Sequence, residues 1–258
     1  PYVTGRADPL WEDCQFDYEY WDEFFINNAK DSSALVIEPI VQGAAGIKII
    51  SKDFLIKLTT LAREFDLHII ADEIMVGLGR LGCLSVSKEI LNIEPDIVCF
   101  AKNLTAGSIP MSAVVINQSL SQLFAKNNKI FAHSHTHSCN GLAISVALSY
   151  LDWLETANNL AAIAASEENF LAIFKEFKRN FSFITNIRVI GAIAACDLNL
   201  PKELISQIFH EGLRQRIYLR PIDTTLYIMP PLNNLTEDTA AIQERLFNVL
   251  SAINLKFK

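Results

Sequence analysis

Residues 67–72 read LHIIAD, a strand-length apolar run that ends on a carboxylate. Three other apolar runs of similar length occur at residues 34–39, 96–102 and 112–116. Residues 51–65 instead place apolar side chains at helical spacing, after an N-cap at Ser51 or Asp53. Near-continuous apolar strands separated by helices are typical of a mostly parallel sheet covered on both faces, so the sequence predicts an α/β fold.

The second half of the chain has a different pattern, which predicts a smaller α+β unit. A long Ala-rich helical stretch covers residues 141–177. The segments after it are a strand-like run at 187–194, a helix at 201–215, short strands at 217–220 and 226–229, and a closing helix from Thr236. Proline residues mark the turns between them. We expect part of a large domain in residues 1–160 and a C-terminal small domain in residues 161–258.

The composition predicts a soluble globular chain. Its 258 residues carry 22 basic and 29 acidic side chains, a net charge of -7, and 50% of them are hydrophobic. This acidic balance gives no electrostatic reason to expect nucleic acid or an anionic membrane as a partner. The apolar runs are all shorter than the roughly 18 residues that a membrane-spanning helix needs.

The cysteines and the first residues indicate where the protein works. Five cysteines occur without a CxxC pair, which favours reduced, buried thiols in a cytosolic protein over a disulfide framework. Residue 1 is Pro rather than Met, and the residues after it lack the charged and apolar regions of a signal peptide. We therefore expect a cytoplasmic protein whose opening residues resemble the interior of a longer sequence.

Ionisable side chains at the ends of the apolar runs are the candidate functional groups. Glu38, Asp72 and Lys102 stand at such ends, where parallel α/β sheets bind their ligands. Taken alone, Asp72 could cap a helix and Lys102 could pair with a nearby acid, because an unpaired lysine is costly to bury. A partly desolvated lysine beside a fixed carboxylate also supplies the amine nucleophile and the ring-nitrogen partner that pyridoxal phosphate needs.

Five blocks of sequence resemble the class III pyridoxal-phosphate aminotransferases. They are IEPIVQG at residues 37–43, IADEI at 70–74, GLGRLG at 77–82, PDI at 95–97 and AKNLTAG at 101–107. Their order and spacing carry the resemblance, which runs from about residue 31 to the end of the chain. It implies the fold-type I transferase architecture, with a pyridoxal-phosphate-binding large domain in residues 1–160. It also implies that the amino-terminal part of the family's sequence is not in this chain.

The resemblance assigns the predicted cofactor contacts. Lys102 matches the lysine that binds the cofactor covalently and moves a proton during catalysis. Asp72 matches the residue that pairs with the pyridine nitrogen, Ile74 matches a residue that packs on the ring, and Glu38 matches an acid behind it.

A loop at residues 133–137 matches the segment that contacts the cofactor phosphate in this family. Thr136 is the matching residue, with Ser134 and His135 beside it. In the family this contact usually crosses a dimer interface, so we expect a homodimer whose sites are shared between subunits.

Two segments, at residues 188–193 and 217–231, resemble the biotin-pathway branch of the family. That branch moves an amino group from S-adenosylmethionine to 8-amino-7-oxononanoate, giving 7,8-diaminononanoate. Arg220 matches the arginine that binds the substrate carboxylate, and Tyr227 matches a tyrosine near the substrate. As alternatives, Arg220 could form a structural ion pair and Tyr227 could be a core aromatic residue.

Three other functions stay open at this point. The chain could be another class III aminotransferase or an aminomutase. It could also be a truncated, non-catalytic remnant or one piece of a split enzyme, in which case open sheet edges and exposed apolar surface are expected. Finally, histidines occupy the alternate positions His133, His135 and His137. On a strand these three side chains would point to one face and could bind a metal ion, which would suit a metal-dependent hydrolase. With no carboxylate in a partner motif, we expect no metal.

Overall fold

The computed structural model describes residues 1–130, 132–156, 158–233 and 235–257, without the side chains of Thr236 and Glu237. In chain order, the strands are β1 (Tyr2–Val3), β2 (Ala34–Ile37), β3 (Val41–Gln42), β4 (Lys48–Ile50), β5 (His68–Asp72), β6 (Ile97–Phe100), β7 (Ala113–Ile116), β8 (Ile184–Ile190), β9 (Ile193–Leu198) and β10 (Thr225–Ile228). The α-helices are α1 (Tyr18–Asn28), α2 (Lys52–Glu64), α3 (Val86–Glu89), α4 (Gln118–Lys126), α5 (Gly141–Glu155), α6 (Asn159–Asn180), α7 (Lys202–Arg214) and α8 (Leu235–Phe257). A short 3-10 helix (Ala29–Asp31) follows α1.

The central sheet has the strand order β2-β5-β6-β7. β2, β5 and β6 are parallel, and β7 pairs antiparallel with β6 at the edge. This confirms the mostly parallel sheet of the predicted α/β fold. The expected cover on both faces is wrong for the described residues, because Val36 is 63% exposed and the successive residues Val114 and Val115 are 61% and 52% exposed.

Helix α2 confirms the helix predicted at residues 51–65 and covers one face of this sheet. The Ser51 hydroxyl caps the helix by accepting the backbone N–H of Phe54. The apolar stripe of α2 places Leu58 and Leu61 in one buried cluster with Ile37 of β2 and Ile69 of β5. The apolar residues whose spacing predicted the helix and the strands are therefore the residues that pack them together.

Asp96 joins the ends of four elements at the edge where β6 begins. Its carboxylate accepts the Ile69 N–H at 2.7 Å and the Asn117 side-chain amide at 2.9 Å. Arg63 at the end of α2 forms an ion pair with the same carboxylate. Burial alone would raise the pKa of Asp96, but hydrogen bonds from Ile69 and Arg63 outweigh burial and the pKa lies below its ordinary value.

A second sheet, in the order β10-β9-β8, corrects the single strand predicted at residues 187–194. The chain turns at Gly191 (φ +53°), so Ile190 pairs with Ile193 in an antiparallel hairpin. A Cβ on Gly191 would lie 2.6 Å from the Cα of Leu81, which explains why glycine occupies the turn. The apolar side chains on both sides of the turn concealed it in the sequence.

Two other predictions in the second half need correction. The helical stretch at residues 141–177 is two helices, α5 and α6, because Thr156 ends the first and Asn158 adopts a left-handed conformation. The strand predicted at residues 217–220 is wrong: that segment has no ladder and instead bonds the Ile217 N–H to the Gly212 carbonyl at the end of α7. The helices predicted at 201–215 and from Thr236 are confirmed by α7 and α8, as is the strand at 226–229 by β10.

The apolar core crosses the predicted domain boundary. Leu81 and Val86 from the first region pack in one cluster with Ile190 and Ile193 from the second. The third sheet, in the order β1-β4-β3, lies in the same cluster. The division at residue 160 therefore stays a prediction. None of the helices in the described part of the chain has the length and apolar character needed to cross a membrane.

Candidate active site

A cavity of about 460 Å³ opens at the carboxyl ends of the parallel strands. Glu38 directly follows β2, Asp72 is the last residue of β5 and Lys102 comes two residues after β6, and all three line this cavity. The rest of its wall consists of Gly43, Ala44, Ile47, Ile74, Met75, Ile222, Tyr227 and Met229. Five of the predicted site residues (Glu38, Asp72, Ile74, Lys102 and Tyr227) therefore lie around one space, which we call the Lys102 cavity.

Lys102 is exposed rather than partly desolvated as the sequence suggested. Lys102 lies in the turn that follows β6 rather than in the strand, so the apolar run of β6 does not bury its side chain. Among the described residues, the Lys102 amine has no hydrogen bond or ion pair. The salt-bridge alternative thus finds no partner there, and the amine is accessible from the cavity.

Two adjacent carboxylates have different environments. Glu73 is 1% exposed and accepts hydrogen bonds from the Ser85 hydroxyl and from the backbone N–H groups of Val86 and Ser87 at the start of α3. Asp72 is half-buried, lines the cavity, and accepts only the Ile74 N–H, at 3.1 Å, on its Oδ1 atom among the described residues. The helix-capping carboxylate is therefore Glu73, and the Oδ2 atom of Asp72 is available to a ligand.

The charge of Asp72 affects the Cys99 thiol on the neighbouring strand. Cys99 pairs with Asp72 across the β5–β6 ladder. Burial raises the pKa of the Cys99 thiol, and the Asp72 carboxylate adds to the effect. Burial, with a smaller contribution from Asp72, thus keeps the nearby thiol protonated at neutral pH.

Glu38 connects the end of β2 to the loop at residues 43–47. Its Oε2 atom accepts the Gly43 N–H at 2.9 Å. Gly43 is also tightly packed, because a Cβ there would lie 2.5 Å from the Met75 sulfur. Glu38 therefore shapes the cavity wall as well as lining it.

Arg220 lies in an adjoining cavity of about 430 Å³. Tyr227 and Met229 line both cavities, so the two spaces share part of one wall. Arg220 is exposed and forms no ion pair with the described residues, which leaves its guanidinium available for an anion. Tyr227 is half-buried in β10 rather than enclosed in the core.

The loop predicted to contact the cofactor phosphate lies apart from the Lys102 cavity. Ser134, His135 and Thr136 are exposed and are absent from the described wall of that cavity. Two hydrogen bonds form locally in this segment: the His135 N–H donates to the Ser138 hydroxyl, and the His137 N–H donates to His135 Nδ1. The structure of this one chain does not bring the loop to the lysine.

The same segment carried the alternative of a metal site. Residues 133–137 form a loop and a turn rather than a strand, so His133, His135 and His137 do not share a strand face. Over the described ranges, no three His, Cys, Asp or Glu side chains are arranged to hold a metal ion. The metal-dependent hydrolase therefore has no metal site in this part of the chain.

Arg80 is a buried residue near the site. It belongs to the GLGRLG block, but nothing in the sequence marked it as a functional residue. Its guanidinium donates to the Pro230 carbonyl at 2.7 Å and to the Asn103 side chain at 3.4 Å. Asn103 follows Lys102 directly and donates to the Gly77 carbonyl at 2.9 Å. Burial lowers the pKa of Arg80 to about 10. Arg80 thus links the turn of Lys102 to the segment that follows Tyr227 and Met229.

The donor set around the Lys102 cavity fits the ring of pyridoxal phosphate. Lys102 offers an unpaired amine for an aldehyde, Asp72 offers a carboxylate oxygen for a protonated ring nitrogen, and Ile74 offers an apolar surface. The phosphate group has fewer partners, since Lys102 and Tyr227 are the only basic or hydroxyl side chains on the described wall. This wall therefore holds the reacting half of the predicted site.

Known proteins resemble this chain over most of its length but over only part of theirs. The adenosylmethionine-8-amino-7-oxononanoate aminotransferase of Helicobacter pylori is 31% identical over 212 residues, which cover 79% of this chain and 48% of that enzyme. The enzyme of the same name from Geobacter sulfurreducens is 31% identical over 229 residues, covering 82% and 49%. The chain spans about half the length of these curated relatives.

Solved structures agree on the fold. An omega transaminase from Pseudomonas jessenii, in complex with PMP, superposes with a TM-score of 0.82 at 22% identity, covering 93% of this chain and 55% of that one. An (S)-enantioselective omega-transaminase from Thermomicrobium roseum gives 0.83 at 24% identity, covering 91% and 54%. The sequence model of class III aminotransferases matches residues 10–250. This chain therefore belongs to the class III aminotransferase family.

Proposed function

We propose that this chain carries the lysine, the aspartate and the carboxylate-binding arginine of an enzyme that aminates 8-amino-7-oxononanoate with S-adenosylmethionine as the donor. The product would be 7,8-diaminononanoate, an intermediate of biotin synthesis. Two observations support the proposal: relatives of that name are up to 31% identical to this chain over the aligned residues, and the Lys102 cavity adjoins the Arg220 cavity. The second observation carries it, because it concerns this chain's own residues.

The Lys102 cavity suits amino-group transfer. Class III aminotransferases use pyridoxal phosphate, which supplies an aldehyde and an electron-withdrawing ring when bound. The Lys102 amine would hold the cofactor covalently and then, once released, move a proton from the amine-bearing carbon of the substrate. The Oδ2 atom of Asp72 would accept the ring N–H and keep it protonated. Ile74 would exclude water from one ring face.

The adjoining cavities suit an elongated keto acid. 8-Amino-7-oxononanoate has a carboxylate at one end and a ketone near the other. Arg220 would bind the carboxylate with its planar, two-pronged guanidinium, while the ketone reaches the Lys102 cavity. Tyr227 and Met229, which line both spaces, would contact the alkyl chain between these ends.

A homodimer would complete the phosphate site. Ser134, His135 and Thr136 are exposed and lie outside the described wall of the Lys102 cavity. We propose that this loop serves the cavity of a second subunit, with residues 1–160 forming part of the large domain and residues 161–258 the small domain. Because the chain spans about half of its relatives' length, further residues would complete each site.

Covalent trapping tests the proposal on this chain. The chain is incubated with pyridoxal phosphate, reduced with borohydride and mapped by mass spectrometry. We expect the label on the peptide that contains Lys102, because its amine lines the cavity and has no ion pair among the described residues. Lys102→Ala should lose the label.

The matched control is Lys88→Ala, which removes an exposed lysine that pairs with Glu94. This variant should keep the label on Lys102. Equal labelling of many lysines, unchanged in Lys102→Ala, would contradict the assignment of Lys102.

A further inference from the structure

We infer that Arg188 is a positioning residue for the Lys102 cavity, because together with Asp197 and Thr225 it fixes the backbone of residues 43–47 as one wall of that space. We call these three residues the Arg188 network. The inference rests on the proposed function only in that it gives this cavity a ligand. The backbone contact itself can be tested without one.

Arg188 holds the loop through main-chain atoms. Its Nε atom donates to the Ile47 carbonyl and its Nη2 atom donates to the Gly46 carbonyl, both at 3.0 Å. Arg188 is only 8% exposed, so water competes little for these hydrogen bonds. Because the acceptors are main-chain carbonyls, Arg188 holds the backbone of the loop directly.

The guanidinium is itself fixed on its other side. Asp197 of β9 accepts two hydrogen bonds from it, at 2.7 and 3.0 Å, and the Thr225 hydroxyl of β10 donates to Asp197 at 3.0 Å. The Asn186 carbonyl accepts a further hydrogen bond at 2.8 Å. All five N–H groups of Arg188 therefore have acceptors. A lysine, with three donors on one nitrogen, could not reproduce this arrangement.

The charge of Asp197 is stabilised by the same contacts. Burial would raise the pKa of Asp197, but hydrogen bonds from Arg188 and Asn186 outweigh it, and the pKa lies below its ordinary value. Asp197 is thus ionised at neutral pH, and the two-pronged ion pair with Arg188 is intact.

The loop is held at both ends of a short span. Glu38 binds the Gly43 N–H at one end, and Arg188 binds the carbonyls of Gly46 and Ile47 at the other. Gly46 has φ +95°, and a Cβ there would lie 3.1 Å from the Thr225 hydroxyl, so the loop closely approaches β10. Ala44, between the two attachments, lines the cavity.

Strand β10 and the residues before it provide another part of the cavity wall. Tyr227 lies two residues after Thr225 on β10 and lines the cavity together with Ile222. The Arg188 network therefore connects the loop to the strand that carries Tyr227. It sets the distance between two walls of the space in which Lys102 and Asp72 lie.

Hydrogen–deuterium exchange of the ligand-free chain tests this inference. In Arg188→Lys we expect the amides of residues 43–47 to exchange at least ~10-fold faster, while the amides of β5 keep their rates. The loop opens more readily because the two hydrogen bonds from the guanidinium to the Gly46 and Ile47 carbonyls are lost. The control is Arg63→Lys, which alters another arginine bound to an aspartate and to the Glu94 carbonyl. It should leave residues 43–47 unchanged.

A second readout follows the ligand. The apparent Kd for pyridoxal phosphate should rise about tenfold in Arg188→Lys, while borohydride labelling of Lys102 at saturation stays complete, since the lysine itself is unaltered. Thr225→Val keeps the shape of the strand residue and removes its hydroxyl. In Thr225→Val we expect a smaller rise in the exchange rates of residues 43–47. This variant replaces Arg188→Lys as the test if Arg188→Lys does not fold.

The outcomes separate this inference from the proposed function. Unchanged exchange at residues 43–47 in both variants, or a uniform rise over the whole chain, would overturn the positioning role. A chain that shows the local change but never binds pyridoxal phosphate would support the positioning role and count against the proposed function.

Discussion

Arg220 and Lys102 are exposed cations on neighbouring cavities, and neither has an ion-pair partner among the described residues. An unpaired cation costs little in water, so their exposure is not a strain on the fold. What distinguishes them is the wall they share through Tyr227 and Met229. Their proposed roles differ: Lys102 reacts, whereas Arg220 only binds.

This difference predicts a separation of kinetic constants. In the assembled enzyme, Arg220→Ala should raise the KM for 8-amino-7-oxononanoate by about 10- to 100-fold with little change in kcat, because the carboxylate contact is the same before and during reaction. Steady-state kinetics of amino transfer measure both constants. Arg214→Ala is the control, since Arg214 pairs with Glu211 on α7. A loss confined to kcat would contradict the binding role.

The charged ends of apolar runs could be read from the sequence, but the buried arginines could not. Asp72 and Lys102 stand out because ionised groups interrupt strand-like apolar runs. Arg80 and Arg188 also interrupt ordered segments, yet their acceptors are carbonyls 150 and 141 residues away in the chain. No local pattern records such a contact. The exposure of Lys102 was missed because an apolar run does not reveal where the strand ends and the turn begins.

At the scale of elements, apolar periodicity predicted most helices and strands but not where neighbouring ones divide. Helix α2 agrees with its predicted bounds because Ser51 caps it and its stripe is regular. The hairpin at Gly191 was missed because apolar residues continue through the turn. The break at Asn158 was missed because the residues on both sides favour helix. In both missed cases, the backbone conformation of a single residue divides the two elements.

Asp96 makes the junction of α2, β5, β6 and β7 sensitive to acid. Its folded-state pKa is lowered, so its contribution to stability is present above the unfolded value near 3.8 and is lost as the pH falls through the folded value. Asp96→Asn should lower the free energy of unfolding at pH 7 by about 2 kcal/mol. It should also reduce the loss of stability between pH 7 and pH 3.

Urea unfolding at the two pH values measures both effects. Asp31→Asn is the control, because Asp31 is exposed in the short 3-10 helix. An identical pH dependence in Asp96→Asn and the unsubstituted chain would contradict the role of Asp96.

At the scale of the whole molecule, the central sheet has an exposed apolar strand at one edge. β7 is the edge strand, and Val114, Val115 and Ile116 are 61%, 52% and 40% exposed. Such strands and apolar patches favour association with other chains. The apolar pattern predicted a sheet covered on both faces, but a sequence does not say whether the covering surface comes from the same chain.

The exposed apolar side chains of β7 predict self-association of this chain by itself. Val114→Ser with Val115→Thr should weaken the association at least about tenfold, because it removes apolar area while keeping a strand residue at 115. Sedimentation velocity over a concentration series measures it. Leu213→Ser removes another exposed apolar side chain, on α7, and should have no effect. A chain that stays monomeric without any substitution would contradict the prediction.

The thiols of this molecule differ sharply in accessibility. Burial raises the pKa of Cys83 and of Cys196 to about 12, and it also raises the pKa of Cys14 and Cys99. Cys139 is exposed, three residues after Thr136. A maleimide dye at neutral pH should thus attach at this one position, next to the segment that we propose contacts a second subunit. A dye on Cys139 would therefore report, without any substitution, when another subunit covers that segment.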